Sequence, residues 1–412
     1  MSKDGGPTVA VKLFIDKEKR NVLFAESDKE FVDVLFSFLT MPLGTIVRLF
    51  DKRSQVGCLD ELYKSVESFG EDHFQTKACK AMLLSPLNAE AIDCNPLKVK
   101  IADENPMYRF PDAICGCGTI VQYIGECPPV NGNSKEGGVY AVSIPKFIIT
   151  DDLQVAPAST RVMFSLIEKY GITGKGEYPG EGAPTQLCQV LLHFFQLIGL
   201  LRRALLTKQA LTGLYFNVAI PPNATDMCVL PESMLSKQAL ETDPKFKAIK
   251  VRLVHAKDDS LLYADVGQDF VDLVFGLLTT PVGAVLKTFS KLPQTGCIEN
   301  IYKIVYLLLS PRLAPYFSCS SSNNVLRVEE LSPRCLMIGF WGGPMNFMVT
   351  DDLHICPFCL INTLEFLRAS KVPKGKLVEK DLTLNKTQVL KLVGAAFGTS
   401  KALSSVLLPS KK

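Results

Sequence analysis

Histidine is scarce in this chain: four occur in 412 residues, at positions 73, 193, 255 and 354. None stands in an H-E-x-x-H or related spacing, so a zincin-type centre is excluded, and a histidine relay would need partners from far along the chain. No G-x-S-x-G elbow supports Ser-His-Asp chemistry. Tryptophan occurs once, as Trp341 in the turn-like "GFWGGP", where burial of the ring against a sheet is expected. Long runs of one charge are missing too. With 45 basic and 42 acidic residues the net charge is +3, which leaves no electrostatic footprint for nucleic acid. The longest apolar run, "VLLHFFQLIGLL" (190–201), is too short to span a bilayer and reads as a buried helix with His193 as a core residue. The opening "MSKDGGPTVAVKLF" lacks the apolar stretch of a signal peptide. Thirteen cysteines without such a signal imply free thiols, hence a cytoplasmic or nuclear protein with no membrane partner.

What is present is an ordinary folded composition, 47% apolar and 21% charged, in a chain long enough for two domains. The chain also repeats itself. "FVDVLFSFLTMPLGTIVRLF" (31–50) returns as "FVDLVFGLLTTPVGAVLKTF" (270–289), ungapped, with nine of twenty positions identical. "GCLDELYKSV" (57–66) returns as "GCIENIYKIV" (296–305), and "FIITDDLQVAPAS" (147–159) as "FMVTDDLHICPFC" (347–359). The expected organisation is therefore a first repeat domain over 8–216, a linker over 217–248 and a second repeat domain over 249–409.

Each copy opens with alternating apolar residues around a polar turn such as "DKEKRN", the pattern of a β-hairpin. Phe31, Leu35, Phe38 and Leu39 then fall on one helical face. Pro42 interrupts that helix and opens the next. Further helices are predicted near 59–69 and 73–84, strands near 97–101, 119–124 and 138–149, and helices over 158–170, 186–207, 358–370 and 386–399. Hairpin, helices, a short strand cluster and C-terminal helices, without βαβ alternation, make the fold class α+β.

The repeat also disposes of a tempting motif. "HICPFC" (354–359) combines a histidine with a C-x-x-C pair, but the first copy has Gln154, Ala156 and Ser159 at those places. The scaffold needs no thiol there, so Cys356 and Cys359 are read as small buried residues rather than as metal ligands or a redox pair. "GITGKGEYPGEG" (171–182) fails as a phosphate loop, because Gly176 follows Lys175 where Ser or Thr is required.

The segments "VLFAESDKEFVDVLFSFLTMPLGTIVRL", "GCLDELYKSVE", "CKAMLLSP" and "FIITDDLQVAPAST" resemble, in this order, the plant family known as domain of unknown function 674. The resemblance covers both copies and implies a plant protein with the domain in tandem. It brings no activity with it. Many members resemble a small zinc ribbon in the first copy. Here only Cys115 and Cys117 of that pattern stand, without the earlier cysteine pair, so they are read as a metal-free remnant unless Cys94 and Cys127 fold back to them.

The remaining candidate is the repeated "TDDL", with paired carboxylates at Asp151/Asp152 and Asp351/Asp352. Such pairs suit Mg²⁺ or acid–base chemistry, or else cap backbone N–H groups in a turn, and adjacent acids on extended backbone point apart. The leading reading is a non-catalytic protein-interaction module without a cofactor, with another protein as partner. The alternative is an enzyme, or a ligand- or metal-binding protein, with its site at those turns. Loops over 102–138, 171–185, 315–343 and 371–385 differ between the copies and are the expected carriers of specificity.

Overall fold

Alternation of Val9, Val11, Leu13 and Ile15 puts one apolar face on the first strand, β1 (Val9–Asp16), and a polar turn returns the chain as β2 (Asn21–Ser27). The computed structural model describes residues 6–74, 77–86, 146–170, 185–220, 246–289, 296–308, 345–370, 372 and 376–408. Cys115, Cys117, Trp341, the tract 171–182, the strands expected near 97–101 and 119–124 and most of the linker lie outside them.

After the hairpin come α1 (Lys29–Thr40), α2 (Leu43–Leu49), α3 (Leu59–Ser68) and α4 (Lys77–Leu84). The chain then supplies β3 (Phe147–Thr150), β4 (Val155–Pro157), α5 (Thr160–Tyr170), β5 (Thr185–Leu192), α6 (Phe194–Leu206) and α7 (Ala210–Tyr215). The second copy repeats the plan. It runs β6 (Ile249–Ala256), β7 (Leu261–Gly267), α8 (Gln268–Thr279), α9 (Val282–Thr288), α10 (Ile298–Leu308), β8 (Asn346–Val349) and β9 (Ile355–Pro357). It closes with α11 (Leu360–Ser370), β10 (Leu377–Leu384), α12 (Lys386–Gly398) and α13 (Ala402–Leu407).

The chain is α+β. Its strands form two five-stranded antiparallel sheets of the same topology, β4-β3-β2-β1-β5 and β9-β8-β7-β6-β10. The register of the repeat holds at its largest side chains: Phe31 and Phe270, and Phe36 and Phe275, are all fully buried.

Strands β4 and β9 and helices α7 and α13 are additions to the sequence reading, and two stretches contradict it. The helix expected over 186–207 is strand β5 followed by α6, with His193 at the junction in extended backbone. The alternation of "TQLCQVLL" is a strand period, and the apolar run conceals the switch of period within it. His193 is accordingly a half-buried N-cap, whose N–H donates to Gln196 Oε1 at 2.9 Å, not a core residue. The expected loop 371–385 likewise contains β10, which pairs with β6 along its length.

The core runs continuously through both copies. Helix α1 is buried on every side from Phe31 to Thr40, because copy two covers the face that its own sheet leaves bare. At the join the chain crosses itself with near two-fold symmetry. Leu43 N–H donates to Thr280 O and Val282 N–H to Met41 O, each at 3.1 Å, around the facing prolines Pro42 and Pro281. Proline has no N–H, so each neighbour carries the bond instead. Phe69 meets Phe275 and Phe347 of the other copy edge-on, with ring centroids 6.2 and 6.0 Å apart.

The "GC" motifs complete the interlock. Cys58 N–H donates to Ala396 O and Cys297 N–H to Ala204 O, both at 2.8 Å. Ala396 and Ala204 lie in the last turns of α12 and α6, where carbonyls lack intrahelical partners, so each copy closes a helix end of the other.

Candidate functional site at the repeated aspartate turns

Each "TDDL" segment links two short antiparallel strands, β3 to β4 and β8 to β9. Leu153 N–H donates to Thr150 O at 2.9 Å, and Leu353 N–H to Thr350 O at 3.0 Å. The fourth residue takes a left-handed backbone, φ 58° at Leu153 and 60° at Leu353. That conformation costs a β-carbon-bearing residue about 1–2 kcal/mol. Complete burial of each leucine side chain, worth roughly 1.5–3 kcal/mol, offsets it.

The two carboxylates of each pair face different ways. Asp151 accepts from Thr212 N–H through one oxygen and from Thr212 Oγ1–H through the other, both at 2.7 Å. It thereby satisfies an orphan donor in the first turn of α7. The Thr212 hydroxyl in turn accepts from Val22 N–H at 2.7 Å and ties the turn to β2. Asp351 repeats this with Ser404, at 2.7 Å from the amide and 2.6 Å from the hydroxyl, at the start of α13. Burial pushes both Asp151 and Asp351 above the ordinary carboxylate range, while the bonds from Thr212 and Ser404 pull the other way.

Asp152 is spent on the turn and on the other copy. It accepts from Thr150 Oγ1 at 2.6 Å, Gln154 Nε2 at 2.9 Å and Asn300 Nδ2 of α10 at 3.1 Å. Asp352 accepts from the Thr350 hydroxyl and from His354 N–H. On the second turn the cross-copy contact comes from Ser65 of α3. Its hydroxyl donates to Glu61 O at 2.8 Å, accepts from Ile355 N–H at 2.8 Å, and lies 3.3 Å from His354 Nδ1. That histidine and serine do not form a nucleophile and its base, because the hydroxyl already gives its proton to a backbone carbonyl.

The "HICPFC" side chains diverge. His354 is half-exposed at the seam, Cys356 is half-buried with its thiol toward Met348 O at 3.8 Å, and Cys359 is exposed at the start of α11. The expectation of two buried cysteines thus fails for Cys359, which sits before a helix whose first turn faces outward. Cys58 and Cys297, by contrast, are buried beside the turns. Burial first, then the Asp pairs, drives both thiols well above their usual range, so neither supplies a thiolate. Among the described residues no group of three or more His, Cys, Asp or Glu is placed to hold a metal ion, and no helix is long and apolar enough to cross a membrane.

The profile of a family described as protein of unknown function (DUF674) matches residues 5–342, which hold the whole first sheet and strands β6 and β7 of the second. The chain belongs to the DUF674 family. No curated protein and no solved structure matches it. In this DUF674 protein, sequence reasoning found the aspartates and missed their partners Thr212, Ser404, Asn300 and Ser65. A signal for two of them was available: "ALT" (210–212) and "ALS" (402–404) extend the repeat past its last recognised segment.

Proposed function

We propose that this DUF674 protein is a non-catalytic interaction protein that docks another protein on its second copy and works without a cofactor or nucleic acid, in the cytoplasm or nucleus of a plant cell. The observation that carries the reading is a difference between copies on an otherwise shared scaffold. At the start of α11 stand Phe358, Leu360 and Ile361, where α5 has Ala158, Thr160 and Arg161. Leu360 and Ile361 are 73% and 68% exposed. The fold forms α5 without apolar side chains of that size at those three positions, its own exposed Phe164 standing one turn further on, so folding does not call for them. Clustered apolar exposure is the mark of a protein–protein contact. Asp151, Asp152 and Asp351 each accept at both carboxylate oxygens, which supports the same reading, since a cation or substrate there would have to displace existing bonds.

The test uses residues that the scaffold already accepts in the other copy. The double variant Leu360→Thr, Ile361→Arg is expected to keep its circular dichroism and melting temperature while capturing at least about tenfold less of the partner found with the natural chain. Unchanged capture by that variant, together with loss on Asp351→Asn in a folded protein, would replace this reading with a ligand site at the turns.

A further inference from the structure

Each sheet has two edges, and an unprotected edge strand offers a row of unpaired N–H and C=O groups to another chain. Three of the four described edges carry a protective device. Strands β4 and β9 are three residues long and end in Pro157 and Pro357. Strand β10 displays Glu379, Lys380 and Asp381, with Asp381 held by Arg252 at 2.8 Å. Strand β5 has no such device. It runs for eight residues, "TQLCQVLL", without a charge or a proline, and no described strand pairs its outer edge. Leu187, Gln189 and Leu191 on its outward face are exposed, and Phe195 just beyond is 77% exposed. The aligned positions of β10 are Glu379, Asp381 and Thr383.

The strand is also complementary to itself. Antiparallel pairing about Gln189 sets Gln189 opposite its own copy and Leu187 opposite Leu191 twice. On the other face it sets Cys188 opposite Val190. Every outward pair is then apolar on apolar or amide on amide, the kind of cross-strand contact that stabilises a sheet. The same operation on β10 would set Asp381 against Asp381, and like charges directly opposite destabilise a pair. We propose that the occupant of the β5 edge is the β5 edge of a second copy of this chain, joining two sheets into one across a two-fold axis. With one open edge among the described strands of each molecule, the association closes as a dimer and does not propagate. This contact is separate from the α11 surface and stands or falls without it.

Charge placed at the axis tests both the contact and its register. Gln189 is exposed and lies opposite Lys12 of β1, so Gln189→Asp is expected to fold as the natural chain does and Gln189→Lys to fold with a slightly lower melting temperature, as circular dichroism would verify. The natural chain should sediment as a dimer at roughly 50 µM, each variant should dimerise at least about tenfold more weakly, and an equimolar mixture of the two should recover the dimer. A natural chain that stays monomeric at that concentration overturns the proposal. So does dimerisation unaffected by either charge, or a mixture that fails to recover, since residue 189 would then not face itself.

Discussion

At the scale of single residues, Asp151 shows what the repeated carboxylates do. Its two oxygens hold the amide and the hydroxyl of Thr212, and that hydroxyl holds Val22 N–H. Asp151→Ala leaves the amide of the buried Thr212 without its acceptor, an expected loss of about 1–3 kcal/mol in denaturant unfolding. Asp151→Asn keeps one acceptor and should lose less. The pH dependence of that second variant has a definite sign. Burial raises the pKa of Asp151 in the folded state, so its contribution is fully present below the unfolded value, about 3.9, and declines as pH rises through the folded one. The deficit of Asp151→Asn relative to the natural chain should therefore shrink from acid toward neutral pH. A deficit that grows with pH would mean that hydrogen bonding outweighs burial at this carboxylate. The turn itself was legible in the sequence, because Thr-Asp-Asp-Leu between apolar runs is local chemistry. Its partners were not, since Thr212 lies 61 residues from Asp151, Ser404 lies 53 from Asp351 and Asn300 lies 148 from Asp152.

At the scale of elements, legibility followed periodicity. Helices α1 and α2, with the proline between them, could be read from spacing and from the repeat, and so could both hairpins. Strands β5 and β10 could not. The first hides in an apolar run whose period changes at His193, and the second in "LVEKDLTL", whose charges suit an exposed edge as well as a loop. The two glycines of the "GC" motifs were visible as repeated residues, while their reason is a distance. A β-carbon on Gly57 would lie 2.1 Å from Ala396 O, at a backbone φ of 49°. One on Gly296 would lie 2.2 Å from Leu205 O. Ala396 O accepts from Cys58 N–H, and Ala204 O, itself 2.5 Å from the carbon added at Gly296, accepts from Cys297 N–H, so neither helix end can yield without straining the bond that joins the copies. Gly57→Ala and Gly296→Ala should each cost well over about 1 kcal/mol, more than the same change at a compatible site could gain. Gly267→Ala is the control, because nothing lies within 4 Å of its added carbon. Equal midpoints for Gly57→Ala and the control would refute the close approach.

At the scale of the whole molecule, the repeat in the sequence suggested two bodies joined by a linker, and the packing describes halves that complete one another. Sequence similarity reports which residues are shared between copies, but not whether each copy buries them alone. Helix α1 answers that question: its Asp33, Ser37 and Thr40 are buried along with its apolar face, and copy two supplies the cover. The polar side of an amphipathic helix is here an inner surface, with Ser37 and Thr40 bonded back to the carbonyls of Val34 and Ser37 at 2.7 and 2.9 Å. Removing copy two would expose the far side of α1, the ring of Phe69 and the last-turn carbonyl of Ala204 together. The intact chain should therefore unfold in one transition, with secondary structure and hydrodynamic radius changing at the same denaturant concentration. Cut in the linker, residues 1–230 and 231–412 should each lack a sharp transition alone and regain it when refolded together, because each half lacks the surface that covers its helices. Two halves that each unfold cooperatively at the midpoint of the intact chain would show instead that each copy closes its own core and that the crossing at Pro42 and Pro281 adds little to stability.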